Sequence, residues 1–185
     1  KMKIKNQNFL DYPFSKFRSD FMDIFLVRKC NFYIGSNTGL DCLAIIFRKP
    51  LLSVNMLPIS LFYLFKKKIL IAPKILYRDK KKLNLHQIFK YNVHHCATTK
   101  CYKQNKIVLK ELSSSQLLEI LKEFIELEKK SWKLMKNAKK LQTIFKKNYL
   151  KFLKENEELT FENSLNDKNI LGYVSNNFIK KNSWI

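Results

Sequence analysis

Between an apolar run, Asn31 to Ile34, and an amphipathic run, Leu40 to Phe47, stands Gly35-Ser36-Asn37-Thr38-Gly39. Residues of these types at this spacing can hold a phosphate. Two of the chain's three glycines lie here, four positions apart. Glycine admits positive φ and lets a ligand come close to the backbone. Ser36, Asn37 and Thr38 add hydroxyl and amide groups, and Thr38 is placed to cap the following helix. Asp41, three residues on, gives a weak capping-box pattern. A helix N-terminus gathers unpaired N–H groups and the positive end of the helix dipole, so an oxyanion is stabilised there. From these residues alone, a tight strand-to-helix turn without a ligand is the simpler reading, because short glycine loops are common.

Three further groups carry polar chemistry. Arg18 can meet a phosphate, and Asp20 and Asp23, spaced i,i+3 on one helical face, can accept from a sugar or ribose hydroxyl. An ordinary charged first turn explains the same residues. Asn55, at a strand end before Pro58, can bond a sugar or base, or cap its own turn. His94-His95-Cys96 with Cys101 invites a zinc reading, but the spacing matches no four-ligand site, and no structural metal is expected. For His94 and His95 a core or solvent-facing ring is the default reading from the residues themselves. No Ser-His-Asp or paired-carboxylate arrangement follows from spacing, so no catalytic residue is assigned.

The elements that must position these residues are short and closely connected. Residues 4–10 read as a strand. Ser15 is the expected N-cap of a helix to about Lys29, with Phe17, Phe21, Ile24, Phe25 and Leu26 on its apolar side. Asn31 to Ile34 reads as a strand, and Leu40 to Phe47 as a helix stopped by Pro50. Leu51 to Val54 is the next strand. This β-α-β-α-β order predicts a parallel, doubly wound sheet, with ligands at the carboxyl ends of its strands. Ile69 to Ala72 reads as a further strand, and Leu85 to Tyr91 as a short helix. Ser113-Ser114-Ser115 should cap a long helical region to about Lys154, broken near Asn137. Residues 155 to 170 read as loop. A last short helix in Gly172 to Ile185 should bury Phe178, Ile179 and Trp184.

The run RSDFMDIFL (residues 18–26) followed by CNFYIGSNTGLDCLAIIFRKPLLSVNMLPI (residues 30–59) resembles a family of bacterial glycosyltransferases found with surface-polysaccharide genes. More loosely it is similar to the donor-binding half of GT-B glycosyltransferases. YNVHHCATT (residues 91–99) and NNFIKKNSWI (residues 176–185) look like that family's C-terminal region. The resemblance implies an α/β, Rossmann-like donor-binding domain over residues 1–110 and a helical region, 111–185, packing on it. An N-terminal half would lie upstream of Lys1. It also implies a transferase that moves sugar from a nucleotide-sugar, its substrate, to a glycan or lipid-linked acceptor, with no cofactor and no metal. Gly35, Ser36, Asn37, Thr38, Gly39 and Arg18 would then hold the donor's phosphates. Asp20, Asp23, Asn55, His94 and His95 would be the sugar or base contacts. The implied place is the cytoplasm, with peripheral contact at the inner face of the membrane.

Composition bounds the alternatives. The chain has 185 residues, 46% of them hydrophobic, enough for a packed core. Its net charge of +21, from 36 Lys+Arg against 15 Asp+Glu, favours anionic partners. The wealth of Lys, Asn, Ile and Phe also fits an AT-biased genome. No zinc-finger spacing, aromatic ribonucleoprotein pattern or regular basic stripe is present, so no specific nucleic acid is expected. The most apolar run, Leu57 to Phe65, is too short to cross a membrane. The four cysteines (Cys30, Cys42, Cys96, Cys101) do not read as a disulfide framework, and Cys30 and Cys42 sit in contexts typical of buried thiols. Two rival readings remain: a non-enzymatic nucleotide- or partner-binding Rossmann-like module, and a basic membrane- or nucleic-acid-associated protein.

Overall fold

The computed structural model describes residues 6–62, 64–129, 136–155 and 171–185. Its elements run α1 (Asp20–Lys29), β1 (Tyr33–Gly35), α2 (Gly39–Ile46), β2 (Leu51–Met56), β3 (Ile69–Pro73), β4 (Ile75–Arg78) and β5 (Lys81–Lys82). They continue with α3 (Leu85–Lys90), α4 (Thr99–Gln104), β6 (Ile107–Lys110), α5 (Ser114–Glu128), α6 (Lys136–Glu155), β7 (Tyr173–Val174) and α7 (Asn176–Asn182).

The fold is α/β, built on a parallel sheet in the order β1-β2-β3-β7 with flanking helices, as in a Rossmann-like domain. Gly35 pairs with Ser53, Leu52 with Leu70, and Leu70 with Tyr173. Ile69 to Pro73 are all buried, as are Leu51, Leu52, Ser53 and Met56. Such unbroken apolar runs belong to central strands covered on both faces. Each fully buried Leu or Ile contributes about 1.5–3 kcal/mol. Phe62, Phe145, Tyr149, Phe178 and Trp184 form a cluster of stacked, tilted and edge-on rings among α6, α7 and the segment after β2. The expected burial of Phe178, Ile179 and Trp184 is found.

The strand order differs from a doubly wound sheet in one respect. Each described strand is added on the same side of the last, so no reversal of direction opens a crevice among them. The C-terminal region also does more than lie against the sheet, since β7 is its fourth strand. A second, antiparallel sheet, β5-β4-β6, grows directly from the end of β3. Its hairpin turn, Asp79-Lys80, takes positive φ at both residues, 50° and 61°, the geometry that matches strand twist.

The N-terminal region departs most from expectation. Residues 6–10 form no strand. Tyr12–Phe14 is a single 3-10 turn, and Ser15 after it is extended, its hydroxyl accepting from Phe17 N–H at 3.3 Å. Ser19 is the real N-cap of α1, accepting from Met22 N–H at 3.2 Å. The expected apolar side of α1 is not buried: Phe17, Phe21, Ile24, Phe25 and Leu26 are exposed and only Val27 is covered. The main element that α1 packs against is α2, a single helix. The expected break near Asn137 adjoins residues 130–135, and the expected loop 155–170 falls on 156–170; both stretches, like Trp132, lie outside the described residues. Ser113 caps α5 with a full capping box, its partner being Gln116. Among the described residues no helix is long and apolar enough to cross a membrane.

Candidate functional site

The glycine turn sits at the carboxyl end of β1 and opens directly into α2, whose N-cap is Thr38. Asn37 takes positive φ, 66°, the left-handed conformation that asparagine tolerates. This turns its N–H toward Asp41, whose Oδ2 accepts at 2.9 Å. Thr38 Oγ1 donates to Asp41 Oδ1 at 3.0 Å. The capping box suggested by the spacing is therefore displaced by one residue: Asp41 bonds the N–H before the N-cap, and the Thr38 hydroxyl bonds Asp41 instead of the backbone. Asp41 is fully buried. A Cβ on Gly35 would stand 2.6 Å from Asp41 Cγ, so glycine is required there by the carboxylate. Around Gly39 nothing lies within 4 Å of such an atom. Tyr33 lines the same turn; burial pushes its phenol up, a hydrogen bond to Thr38 pulls it down, and the Asp41 charge pushes it up.

At the other end of α2, Lys66 Nζ donates to Ile45 O at 2.7 Å. Burial lowers the pKa of this ammonium, and Arg48 lowers it further. The helix thus carries a carboxylate at its N-terminal end and an ammonium at its C-terminal end, each offsetting the local dipole.

One loop joins the remaining residues to the turn. It runs from Leu57 to Leu61, just beyond β2. Asn37 Nδ2 donates to Leu57 O at 2.6 Å. Ser60 N–H donates to His94 O at 3.1 Å. Tyr149 Oη reaches in from α6 and donates to Ile59 O at 2.9 Å. His94 is buried and its ring stacks on Phe89, centroids 4.3 Å apart, while His95 is exposed. Gly35, Ser36, Asn37, Thr38 and Gly39 therefore share the carboxyl edge of the sheet with the backbone of His94.

Other residues singled out from the sequence bond to groups outside the turn. Asn55 takes positive φ, 52°, at a bulge in β2, and its Oδ1 accepts from Leu112 N–H at 2.9 Å, fastening the β6–α5 connection. Arg18, Asp20 and Asp23 stand at or just before the start of α1. The backbone N–H groups of Arg18 and Asp23 bond Ser15 O and Ser19 O. Tyr12 Oη donates to Ser19 O at 3.1 Å, and Asp23 helps burial raise its phenol. Cys42 is exposed, not buried, and Cys30 is half-buried. Cys96 and Cys101 form a disulfide with Cα atoms 5.6 Å apart.

A second strand-to-helix junction escaped sequence reasoning. Ser175 caps α7, and there Glu123 of α5 receives Ser175 Oγ at 2.6 Å, Asn176 N–H at 2.9 Å and Asn177 N–H at 3.3 Å. Burial pushes the Glu123 carboxyl above its ordinary range, against the pull of these hydrogen bonds. Its only trace in the sequence is Ser175 before two asparagines; nothing local points to residue 123.

The arrangement at β1 can hold an oxyanion on backbone N–H and offer a carboxylate to a hydroxyl. No protein-family model, curated protein or solved structure matches this chain.

Proposed function

We propose that the chain is the donor-binding half of a GT-B-type glycosyltransferase that moves sugar from a nucleotide-sugar to a glycan or lipid-linked acceptor. The observation that carries this reading is the β1–α2 turn, which already holds an oxyanion: the Asp41 carboxylate on Asn37 N–H. A donor diphosphate competes for the same place, and Asp41, once displaced, is an acceptor for a sugar or ribose hydroxyl. The parallel sheet, with this turn at a carboxyl end, supports the reading, as does the resemblance of residues 18–26 and 30–59. A GT-B reaction centre lies between two domains, and positioning there supplies much of the rate. This chain alone therefore binds donor without transferring sugar.

The test is calorimetry with UDP, GDP, ADP and CMP on the wild type and on Asp41→Asn. One nucleoside diphosphate should bind, and about 10-fold more tightly to Asp41→Asn, because a competing charge worth about 1.4 kcal/mol is gone. No binding of any nucleotide to either protein would remove the reading. Equal binding to both would move the site away from the turn.

A further inference from the structure

We propose that, when the Cys96–Cys101 bond is reduced, His95, Cys96 and Cys101 form a three-ligand site for a zinc-type dication. One donor atom from each of the three residues lies within 4.8 Å of the others. Tetrahedral zinc with Zn–S of about 2.3 Å and Zn–N of about 2.0 Å sets its ligand atoms roughly 3.5–3.8 Å apart. Once the bond is broken, side-chain rotation parts the sulfurs to that distance, their Cα atoms standing 5.6 Å apart. Two thiolates offset the charge of a dication, and a borderline-soft set of two sulfurs and one nitrogen suits zinc over calcium or magnesium. A water completes the fourth position, as in zinc sites with three protein ligands.

The backbone already fixes the ligands. Cys96 N–H closes a turn on Val93 O at 3.3 Å. Cys101 N–H donates to the Thr98 hydroxyl at 3.3 Å, and its carbonyl accepts from Asn105 Nδ2 at 2.9 Å. Cys96 is buried, Cys101 half-buried and His95 exposed, so the ion has a solvent-facing entrance. The spacing that excluded a four-ligand structural zinc does not exclude this set, because the turn brings adjacent residues 95 and 96 to one point.

Disulfide and metal are alternative occupants of the pair. A dithiol reductant opens the bond: two electrons break S–S, its two protons go to the Cys96 and Cys101 sulfurs, and the reductant becomes its own disulfide. Metal binding then releases the two thiol protons. The experiment titrates Co2+ into the full chain reduced with a phosphine, which adds no competing thiol. One Co2+ per chain should give a thiolate-to-cobalt charge-transfer band and tetrahedral d–d bands, bleached by Zn2+. Cys96→Ser or Cys101→Ser should remove most of the charge-transfer intensity. His95→Ala, at an exposed position that does not threaten folding, should weaken binding more than about 10-fold, the least that loss of an outer-shell partner costs. The oxidised protein should give no band. A reduced wild type without the band, or His95→Ala binding as tightly as wild type, would overturn the site.

Discussion

At the end of β1, the N–H of Asn37 is met by Asp41, four residues along the same stretch of chain. At the end of β7, the N–H groups of Asn176 and Asn177 and the Ser175 hydroxyl are met by Glu123, brought from a different helix. Both junctions face the carboxyl edge of one parallel sheet, and both fill a helix N-terminus with the chain's own carboxylate. The difference is in what each carboxylate ties down. Asp41 joins a turn to the helix it starts, all within one short stretch of chain. Glu123 joins α5 to β7 and α7, so its release unfastens the last strand. A junction closed locally can open to a ligand, whereas a junction closed by tertiary contact is a structural joint.

The largest effect that separates the two junctions should come from Glu123→Ala. It strands buried donors on Ser175 and Asn176 and a half-buried one on Asn177, and unpaired buried groups cost about 1–3 kcal/mol each. Urea denaturation should show a loss of about 3 kcal/mol; less than about 1 kcal/mol would mean that Glu123 does not hold the joint. Gly35→Ala should come next, at about 2 kcal/mol, an overpacking cost, because the new Cβ meets the Asp41 carboxylate. Adding Asp41→Ala should return part of that loss, since neighbours in contact are not additive. A double mutant no better than the sum of the singles would break the link between Gly35 and Asp41.

A smaller effect should appear with pH. Burial raises the Glu123 pKa above its ordinary 4.5, so above that value the folded protein holds more of its proton than the unfolded chain does. Stability contributed by the protonated form is complete below 4.5 and is lost as pH rises toward the folded value. Wild type should therefore lose stability relative to Glu123→Gln over that interval; a difference that is flat or rises would reverse the assignment. The smallest effect should be Gly39→Ala. Its Cβ would meet open space, and removing glycine restricts the unfolded chain, so a gain of about 0.5 kcal/mol is expected. A clear loss in the same denaturation series would show that the turn needs Gly39 as it needs Gly35.

The same contrast explains what could be read from the sequence. The β1–α2–β2 unit, Thr38 as N-cap and the Asp41 spacing are encoded within a few residues, so local pattern reveals them. Glu123 and Ser175 lie far apart in the chain and share no periodicity. β7, two residues long, is too short to show alternation. The bond of Asn55 to Leu112 could not be read from the sequence, because it arises from a bulge and a distant connection. The α1 region misled in the opposite direction: Phe21, Ile24 and Phe25 have helical spacing, but spacing does not say whether a neighbour exists to cover them. Cys96 and Cys101 bond to each other, yet the uneven spacing of the four cysteines does not announce the pair.

The pairing of β3 with β7 also constrains the order in which the protein can be made. Leu70 and Ile71 wait for Tyr173 and Val174, and Leu64 O waits for the N–H groups of Leu171 and Gly172 at 2.8 Å. During synthesis the central strands therefore leave the ribosome long before their last neighbour does. Until then one side of β3 is an open hydrogen-bonding edge, and the aromatic stack lacks Trp184. Long-range pairing of this kind slows folding, because loop closure must precede the contacts that reward it. Nascent chains halted before residue 171 should be cut readily by protease, and released full chains should resist; equal resistance would show that the earlier strands stand without their final partner.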